Sequence, residues 1–451
     1  MRNLSTRNVT LHAFNWHYTD ILDNLDSIRA AGYGAILVPP ILYSDPRGDQ
    51  WWQRYQPKDY RVLLSHLGGK RDLENLIAAC HNGTPRLRVY ADLVINHMAN
   101  EDRPDRFNFP GEAELERYKH ESALYEENRL YGDLSQGLFS PWDFNHAGEI
   151  EGHEWGDRGA VQFQNLSGLP DLKDSDWVLQ QQHLMVTALV RMGFDGFRID
   201  AIKHITERMI DNLGDNPEFR EQFWFGEVLT GSDRDEEVFL EPFLRETHMA
   251  AYDFPLFQTL RQAFSPAGSL RTLAKPQDQG NALFWNRAVT FVVNHDIPHN
   301  DGFRSWLLDH QDEQLAYAYI LGRDGGIPLV YSDHNESHFA KDTDRWLDAY
   351  KRPELAAMIQ FHNAVHGQPM AVLYETDVLL IFRRGAEGIV AINKSGADQW
   401  AEINTWGLTN PGNYQDLVHR HSMTLSGNQF PLFVPPRTAQ MWLVESAIAQ
   451  E

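Results

Sequence analysis

The chain reads as an α/β protein: a (β/α)8 barrel of the TIM type, interrupted by an inserted domain after its third strand and followed by an antiparallel β-sandwich. Three observations predict it. Eight short apolar runs of strand character alternate with helical stretches between residues 9 and 331. Alternating β and α elements imply a parallel sheet, and eight of them imply a closed barrel. The rhythm breaks between His97 and Asp171, where a polar, aromatic, Gly-rich stretch is too long for a bare loop. After about Pro369 the texture changes to short strand-like runs separated by Gly and Asn turns, which predicts the sandwich.

In order, the barrel runs are 9–14, 34–39, 88–95, 195–200, 223–228, 248–252, 288–293 and 327–331. The barrel then comprises residues 1–97 and 172–368, with the inserted domain at 98–171 and the sandwich at 369–451. Runs at 378–382 and 389–392 open the sandwich. A length of 451 residues exceeds one ordinary domain and fits a large barrel with an accessory module.

A hydrophobic share of 42% with 23% charged residues is the composition of a soluble globular chain. The net charge of −23 argues against nucleic acid and anionic membranes as partners, because no basic stripe is present to neutralise phosphates. A neutral polymer is not repelled. Cys80 is the single cysteine, so no intrachain disulfide forms, and its apolar helical setting marks a buried inert thiol. No run approaches the roughly 20 apolar residues of a membrane span. Residues Met1–Arg7 lack the apolar core of a secretion signal. The expected location is cytoplasmic, with a secreted mature form as the alternative, and a monomer is expected.

In such a barrel the chemistry sits where strands meet the loops that follow them. The third run ends Asp92-Leu93-Val94-Ile95-Asn96-His97, the fourth Arg198-Ile199-Asp200, the fifth Gly226-Glu227-Val228 and the seventh Asn294-His295-Asp296. Asp200, Glu227 and Asp296 therefore converge on one rim with two histidines. Two carboxyl groups across a cleft are what glycoside hydrolysis requires, one ionised to attack and one protonated to donate. Arg198, two residues from Asp200, points the same way off a strand and is expected to hold Asp200 ionised. Phe223, Trp224, Phe225 and Val228 surround Glu227 in sequence, and their apolar setting is expected to raise its pKa. Those environments nominate Asp200 as nucleophile and Glu227 as acid.

These junctions resemble the signature regions of glycoside hydrolase family thirteen, the α-amylase family. Asp92 to His97 is similar to its first region, Gly196 to His204 to its second, Glu227 to its third and Phe291 to Asp296 to its fourth. Gly168-Leu169-Pro170-Asp171-Leu172 resembles the region closing the inserted domain. Trp51-Trp52-Gln53-Arg54-Tyr55-Gln56-Pro57 is similar to a loop of animal-type α-amylases.

The resemblance implies Asp200 as nucleophile, Glu227 as general acid/base and Asp296 as transition-state stabiliser. It implies that Arg198 orients Asp200 and that His97 and His295 hydrogen-bond the sugar at the cleavage point. Trp51, Trp52, Tyr55 and Gln56 fall in the loop after the second run, where aromatic faces stack on the C–H faces of sugars. Lys203 and His204 are implied contacts on the leaving-group side. With Ala201 they resemble enzymes acting on α-1,4 rather than α-1,6 bonds.

Family members commonly hold a structural Ca²⁺ between barrel and inserted domain, and oxygen ligands suit it. The matching positions are the Asn96 side chain, the Asp171 carboxylate and the His204 carbonyl, with a carbonyl near Gln162 as a fourth. Chloride, which animal-type members use, needs the equivalents of Arg198 and Asn294 plus a basic residue near the eighth run. That run contains none, so chloride is not expected unless Arg323 reaches inward. The implied activity is that of an endo-acting, retaining α-amylase on starch, glycogen or maltooligosaccharides. The alternatives are a 4-α-glucanotransferase using the same covalent intermediate and a non-catalytic glucan-binding protein.

Overall fold

The computed structural model describes residues 7–45, 48–100, 107–334 and 345–448. Residues 1–6, most of the stretch read above for a secretion signal, lie outside them. Among the described residues, eight strands close a barrel in which each lies beside its neighbours in sequence. They are β1 (Thr10–Phe14), β2 (Ala35–Val38), β3 (Arg88–Leu93), β4 (Gly196–Ile199), β5 (Phe223–Gly226), β6 (Ala250–Tyr252), β7 (Ala288–Phe291) and β8 (Ile327–Asp333). Each falls on one of the eight predicted runs. Every residue of β1, β2, β4 and β7 is buried, as strands covered on both faces must be. No described helix is long and apolar enough to cross a membrane.

The helices bury the stripes that their periodicity dictates. Helix Lys70–Asn82 buries Leu73, Leu76, Ile77 and Cys80, spaced three or four apart, so the lone thiol is packed in the core. Helix Asp176–Met192 leads into β4. The Ser175 side chain caps its start by accepting from Val178 N, and Gly193, at φ 113°, ends it in the left-handed region.

The chain departs from the barrel at Asn96–Met98 and returns at Pro170–Leu172, and the two stretches pair. Met98 N donates to Pro170 O at 3.2 Å and Leu172 N to Asn96 O at 2.9 Å. His97 and Asp171 form an antiparallel bridge. Between them, helices Glu112–His120 and Ser122–Glu127 set Tyr118 and Tyr125 against Tyr43, Val62 and Leu134 in a small core.

After the barrel come β9 (Met370–Glu375), β10 (Leu379–Arg384), β11 (Gly388–Asn393), β12 (Gln399–Asn404), β13 (Gly412–Asp416), β14 (Ser422–Leu425), β15 (Gln429–Val434) and β16 (Thr438–Val444). They form a six-stranded sheet, β9-β10-β11-β16-β13-β14, and a β12–β15 pair. Leu379, Ile381, Ile389, Ala401, Ile403 and Leu432 from both sheets share one core.

The chain packs as two compact units, one of Ala13–Leu25 with Ile36–Tyr252, the other of Met1–His12, Asp26–Ala35 and Asp253–Glu451. The first carries β3 to β6 and the excursion after β3. The second carries β7, β8 and the carboxyl-terminal sheets.

Candidate active site

In the first unit, strand register sets Asp92 of β3 opposite Arg198 of β4, and Arg198 opposite Phe225 of β5. Asp200 and Glu227 sit one ladder step beyond their strands. Asp200 N donates to Leu93 O at 2.9 Å and Glu227 N to Ile199 O at 3.0 Å. The parallel ladder itself thus fixes where both carboxyl groups begin.

Arg198 is the hub. Its Nη1 donates to Asp92 Oδ1 and Oδ2 at 2.8 and 3.0 Å and to Asp200 Oδ1 at 2.8 Å. Its Nη2 forms an ion pair with Glu227 Oε2 at 2.7 Å. The guanidinium lies 5.9 Å from the Tyr55 and Tyr252 ring centres, and Tyr55 donates its hydroxyl proton to Asp92 Oδ2 at 2.9 Å. Side-chain exposure rises from 0% for Asp92 and 8% for Glu227 to 12% for Asp200. Of the three carboxyl groups, Asp200 is therefore the one most open to a substrate.

Directly after Asp200 the chain turns through the left-handed region at Ala201, φ 47° and ψ 39°. That turn points the Ala201 N–H at Glu227 Oε2, 3.3 Å away. Glu227 Oε1 is buried with no hydrogen-bond partner among the described residues. One oxygen of Glu227 is anchored and the other is unsatisfied.

The electrostatics correct the expected asymmetry. Arg198 does not hold Asp200 in the usual carboxylate range: burial pushes it up to about 7, with Arg198 opposing and the neighbouring Glu227 and Asp92 charges adding to the rise. Burial raises Asp92 as well. Nor is Glu227 in an apolar pocket, since it touches the same guanidinium. Three carboxyl groups surround one buried cation, so desolvation and mutual repulsion favour a proton retained within the cluster.

The loop after β2 is a 3₁₀ turn, Trp51–Tyr55, in which Gln50 N donates to Gln53 Oε1 at 3.0 Å. Trp52 is 42% exposed, as a stacking platform needs. Trp51 lies edge-on to Tyr55, 6.0 Å between centres, and Tyr55 itself is buried against the charge cluster. Gln56 closes the turn, donating its N–H to Gln53 O at 3.1 Å. His97 is buried and donates Nε2–H to Tyr55 O at 3.0 Å; burial lowers its pKa to about 4, so it is neutral. Lys203 donates to Leu229 O at 3.1 Å, its ammonium 6.0 Å from the Trp155 ring centre and 5.4 Å from that of Phe239.

The residues expected to hold calcium lie near one another. Asn96 has its amide beside the His204 carbonyl and Asp171 Oδ1. With its nitrogen turned to them, it donates at 2.9 and 3.3 Å. With its nitrogen toward His97 Nδ1 instead, 3.5 Å away, the Asn96 oxygen joins the His204 carbonyl and Asp171 Oδ1 in an all-oxygen set of the kind that suits a hard cation. Burial pushes Asp171 up to about 8, eased by a hydrogen bond from Asn145 at 2.7 Å and by no basic side chain among the described residues. No cluster of three His, Cys, Asp or Glu able to hold a metal occurs among those residues. His204 donates Nδ1–H to Val161 O at 3.0 Å, leaving its own carbonyl to face Asn96. Gln162 is turned to the neighbouring residue, donating Nε2–H to Ile205 O at 3.1 Å.

In the second unit, Asp296 opens the short helix Asp296–His299 just past β7, with Oδ1 3.6 Å from His295 Nε2. Asn294 Oδ1 accepts from Ile297 N, in the first turn of that helix, at 3.3 Å. The His295 ring meets His12 edge-on at 5.5 Å, and His12 meets Tyr331 at 5.6 Å. His299 Nε2 lies 2.9 Å from the Tyr331 hydroxyl and 3.2 Å from Asp333 Oδ2. Arg323 lies over the Tyr319 ring at 5.8 Å, and its charge lowers the Asp253 carboxyl that burial raises.

Sequence reasoning missed Asp92 as the main partner of Arg198, and also His12, His299, Tyr331 and Asp333. Asp92 was detectable as a carboxylate inside an apolar strand, which burial makes expensive without a cation.

The family model described as "Alpha amylase, catalytic domain" matches residues 17–332, and "Alpha amylase, C-terminal all-beta domain" matches 374–445. An α-amylase of Aeromonas hydrophila is 44% identical, with 97% of this chain and 96% of that one aligned. α-Amylase I of Eisenia fetida, solved also as a variant in complex with maltohexaose, shares the fold at TM-score 0.78 and 22% identity over 97% of both chains. A cyclomaltodextrin glucanotransferase shares it at TM-score 0.70 and 22% identity over 94% of this chain and 89% of that one. A fold common to a hydrolase and a glucanotransferase does not select between them, so selection rests on the site. By its matched catalytic domain and its full-length relative, this chain belongs to the α-amylase family, glycoside hydrolase family thirteen.

Proposed function

We propose that the protein is an α-amylase that cuts internal α-1,4 bonds of starch, glycogen or maltooligosaccharides with retention at the anomeric carbon. The observation that carries the reading is the sharing of one buried guanidinium by Asp200 and Glu227 at the ends of adjacent strands. Such a tie favours the close carboxyl spacing of retaining enzymes, about 5–5.5 Å, over the roughly 6.5–9.5 Å of inverting ones.

In the first step Asp200 attacks the anomeric carbon while Glu227 gives its proton to the leaving glycosidic oxygen, producing a covalent glycosyl-enzyme. Glu227 then takes a proton from water, which attacks the same carbon and frees Asp200. The unsatisfied Oε1 of Glu227 is the proton-bearing oxygen, and the anchored Oε2 keeps it aimed. Arg198 holds Asp200 Oδ1 and leaves the second oxygen for attack. Family resemblance supports transition-state stabilisation by Asp296 and hydrogen bonds from His295 and His97 to sugar hydroxyls. Trp52 stacks on a sugar ring, and Lys203 and His204 border the leaving group.

Asn96, Asp171 and the His204 carbonyl would hold Ca²⁺. Bound there, the ion supplies positive charge that keeps Asp171 ionised and ties the return of the inserted stretch to the turn after Asp200.

The test is a product time course on maltoheptaose with the wild type, Asp200→Asn and Glu227→Gln. Shorter products from the wild type and a loss of at least about 10³-fold in each folded variant are expected. Full activity in either variant would sink the mechanism, and products longer than the substrate would make the protein a transferase.

A further inference from the structure

Glu313 is a buried carboxylate that the mechanism above does not use. It lies in the first turn of helix His310–Gly322, which Asp309 caps by accepting from Gln311 N and Asp312 N at 2.9 and 2.8 Å. Its side chain is 3% exposed, and a carboxyl group so placed is costly unless it is paired. A cavity of about 30 Å³ beside Glu313, Tyr317 and Tyr331 is too small for a substrate or cofactor. The partners of this carboxylate come from the chain itself.

Two residues beyond β8 supply them. Arg345 Nη2 pairs with Glu313 Oε2 at 2.5 Å, and Trp346 donates its indole N–H to the same oxygen at 3.3 Å. Arg345 also donates to Leu308 O at 2.8 Å, and its guanidinium lies 5.1 Å from the Trp346 ring centre. Trp346, itself buried, is thereby gripped through its N–H and against its ring at once.

The position of Trp346 determines the end of β8. Its carbonyl accepts from Asp333 N at 3.1 Å and from the Ser332 hydroxyl at 3.2 Å. Its ring meets Tyr331 edge-on, 5.9 Å between centres. Tyr331 and Asp333 are the residues against which His299 Nε2 is seated, and His299 ends the four-residue helix that Asp296 opens. A single helical turn does not hold itself in place, so the orientation of this one depends on such lateral contacts.

We propose that Glu313 is a positioning residue for the reaction, clamping Trp346 so that the end of β8 forms a rigid seat for the helix bearing Asp296. The proposal rests on the α-amylase reading above, in which Asp296 stabilises the transition state. Glu313 acts through Trp346 on the placement of a group whose contact matters most in the transition state. Its removal therefore lowers kcat rather than raising KM. A carboxylate with a purely structural role would lower stability and leave the rate of the folded enzyme alone.

The same turn supplies a control. Asp312 Oδ1 pairs with Arg437 Nη1 at 2.7 Å and Asp309 Oδ2 with Arg437 Nη2 at 3.0 Å. Arg437 lies between β15 and β16, so these pairs brace the helix start from the carboxyl-terminal sheet rather than from β8.

The experiment uses the full chain as wild type, Glu313→Ala, Glu313→Gln, Trp346→Phe and Arg437→Ala. Steady-state rates on maltoheptaose are measured well below the lowest unfolding temperature of the set, which is recorded for each protein. Glu313→Ala and Trp346→Phe, the latter losing little beyond the N–H, should lower kcat about five-fold with KM within about two-fold of the wild type. Glu313→Gln, whose amide oxygen still accepts from the indole, should recover most of that loss. Arg437→Ala should lower the unfolding temperature and keep the wild-type kcat. Should Glu313→Ala not fold, Trp346→Phe and Glu313→Gln decide the matter. A wild-type kcat in Trp346→Phe would overturn the proposal, as would equal losses of kcat in Glu313→Ala and Arg437→Ala, the mark of a generally loosened helix. Either result, with a wild type that cleaves maltoheptaose, leaves the α-amylase reading intact; a wild type that does not cleave it defeats that reading and this proposal together.

Discussion

Asp92 takes the Arg198 guanidinium with both of its oxygens, at 2.8 and 3.0 Å from Nη1, and neither side chain reaches solvent. The guanidinium that contacts Asp200 and Glu227 is therefore positioned from the third strand. Asp92→Asn should destabilise the fold by about 3–5 kcal/mol, the usual effect of breaking a buried ion pair. It should also lower kcat at least about ten-fold, because the remaining contacts no longer fix the guanidinium. Urea unfolding and steady-state rates measure both, and an unchanged denaturation midpoint would remove Asp92 from this role.

A second prediction follows from Asp200, which burial raises from 3.8 to about 7. The native state then keeps this proton at pH values where the unfolded chain has lost it. The contribution to stability is fully present below about pH 4, is lost as pH rises toward 7 and is constant above that. Unfolding free energies of wild type and Asp200→Asn, measured from pH 4 to 8, should converge on a flatter curve for the variant. A variant curve with the wild-type slope would contradict it.

Calcium removal gives a third. A chelator should lower the unfolding temperature, and a calcium excess of about 100-fold over Kd should restore about 2.7 kcal/mol. Asp171→Asn should abolish the response to calcium, with Asn96→Ala weakening it. If the wild type unfolds at one temperature with and without calcium, the Asn96 amide is simply donating to the His204 carbonyl and Asp171.

The fourth concerns the group around the Asp296 helix. His299 lies one turn past Asp296 and meets Tyr331 and Asp333 at 2.9 and 3.2 Å. His299→Ala should lower kcat by about ten-fold while changing KM little, since it loosens the element bearing Asp296 without touching substrate. His299→Gln, which can still hydrogen-bond, should recover part of the loss. An equal loss in both variants would indicate a general folding defect.

The barrel was legible because its strands are short apolar runs, and runs of that kind survive any error in pairing. The ends of those runs named Asp200, Glu227 and Asp296 for the same reason: a carboxylate closing an apolar strand is hard to explain otherwise. Residues whose meaning depends on register were not legible. Asp92 faces Arg198 only once β3 and β4 are paired, and Tyr55 meets Asp92 only once the loop after β2 has folded back. The electrostatic expectation failed for a related reason. A sequence displays Arg198 beside Asp200, but not that the same guanidinium serves two further carboxyl groups in a buried site.

Ala201 carries a consequence for redesign. Its left-handed backbone, φ 47°, aims the N–H that meets Glu227 Oε2. A β-branched residue tolerates that conformation poorly, whereas glycine and asparagine adopt it readily. A library randomised at position 201 and selected for activity should return alanine, glycine and asparagine and exclude valine and isoleucine. The chemistry of the site thereby imposes a steric filter on a residue whose side chain takes no part in it.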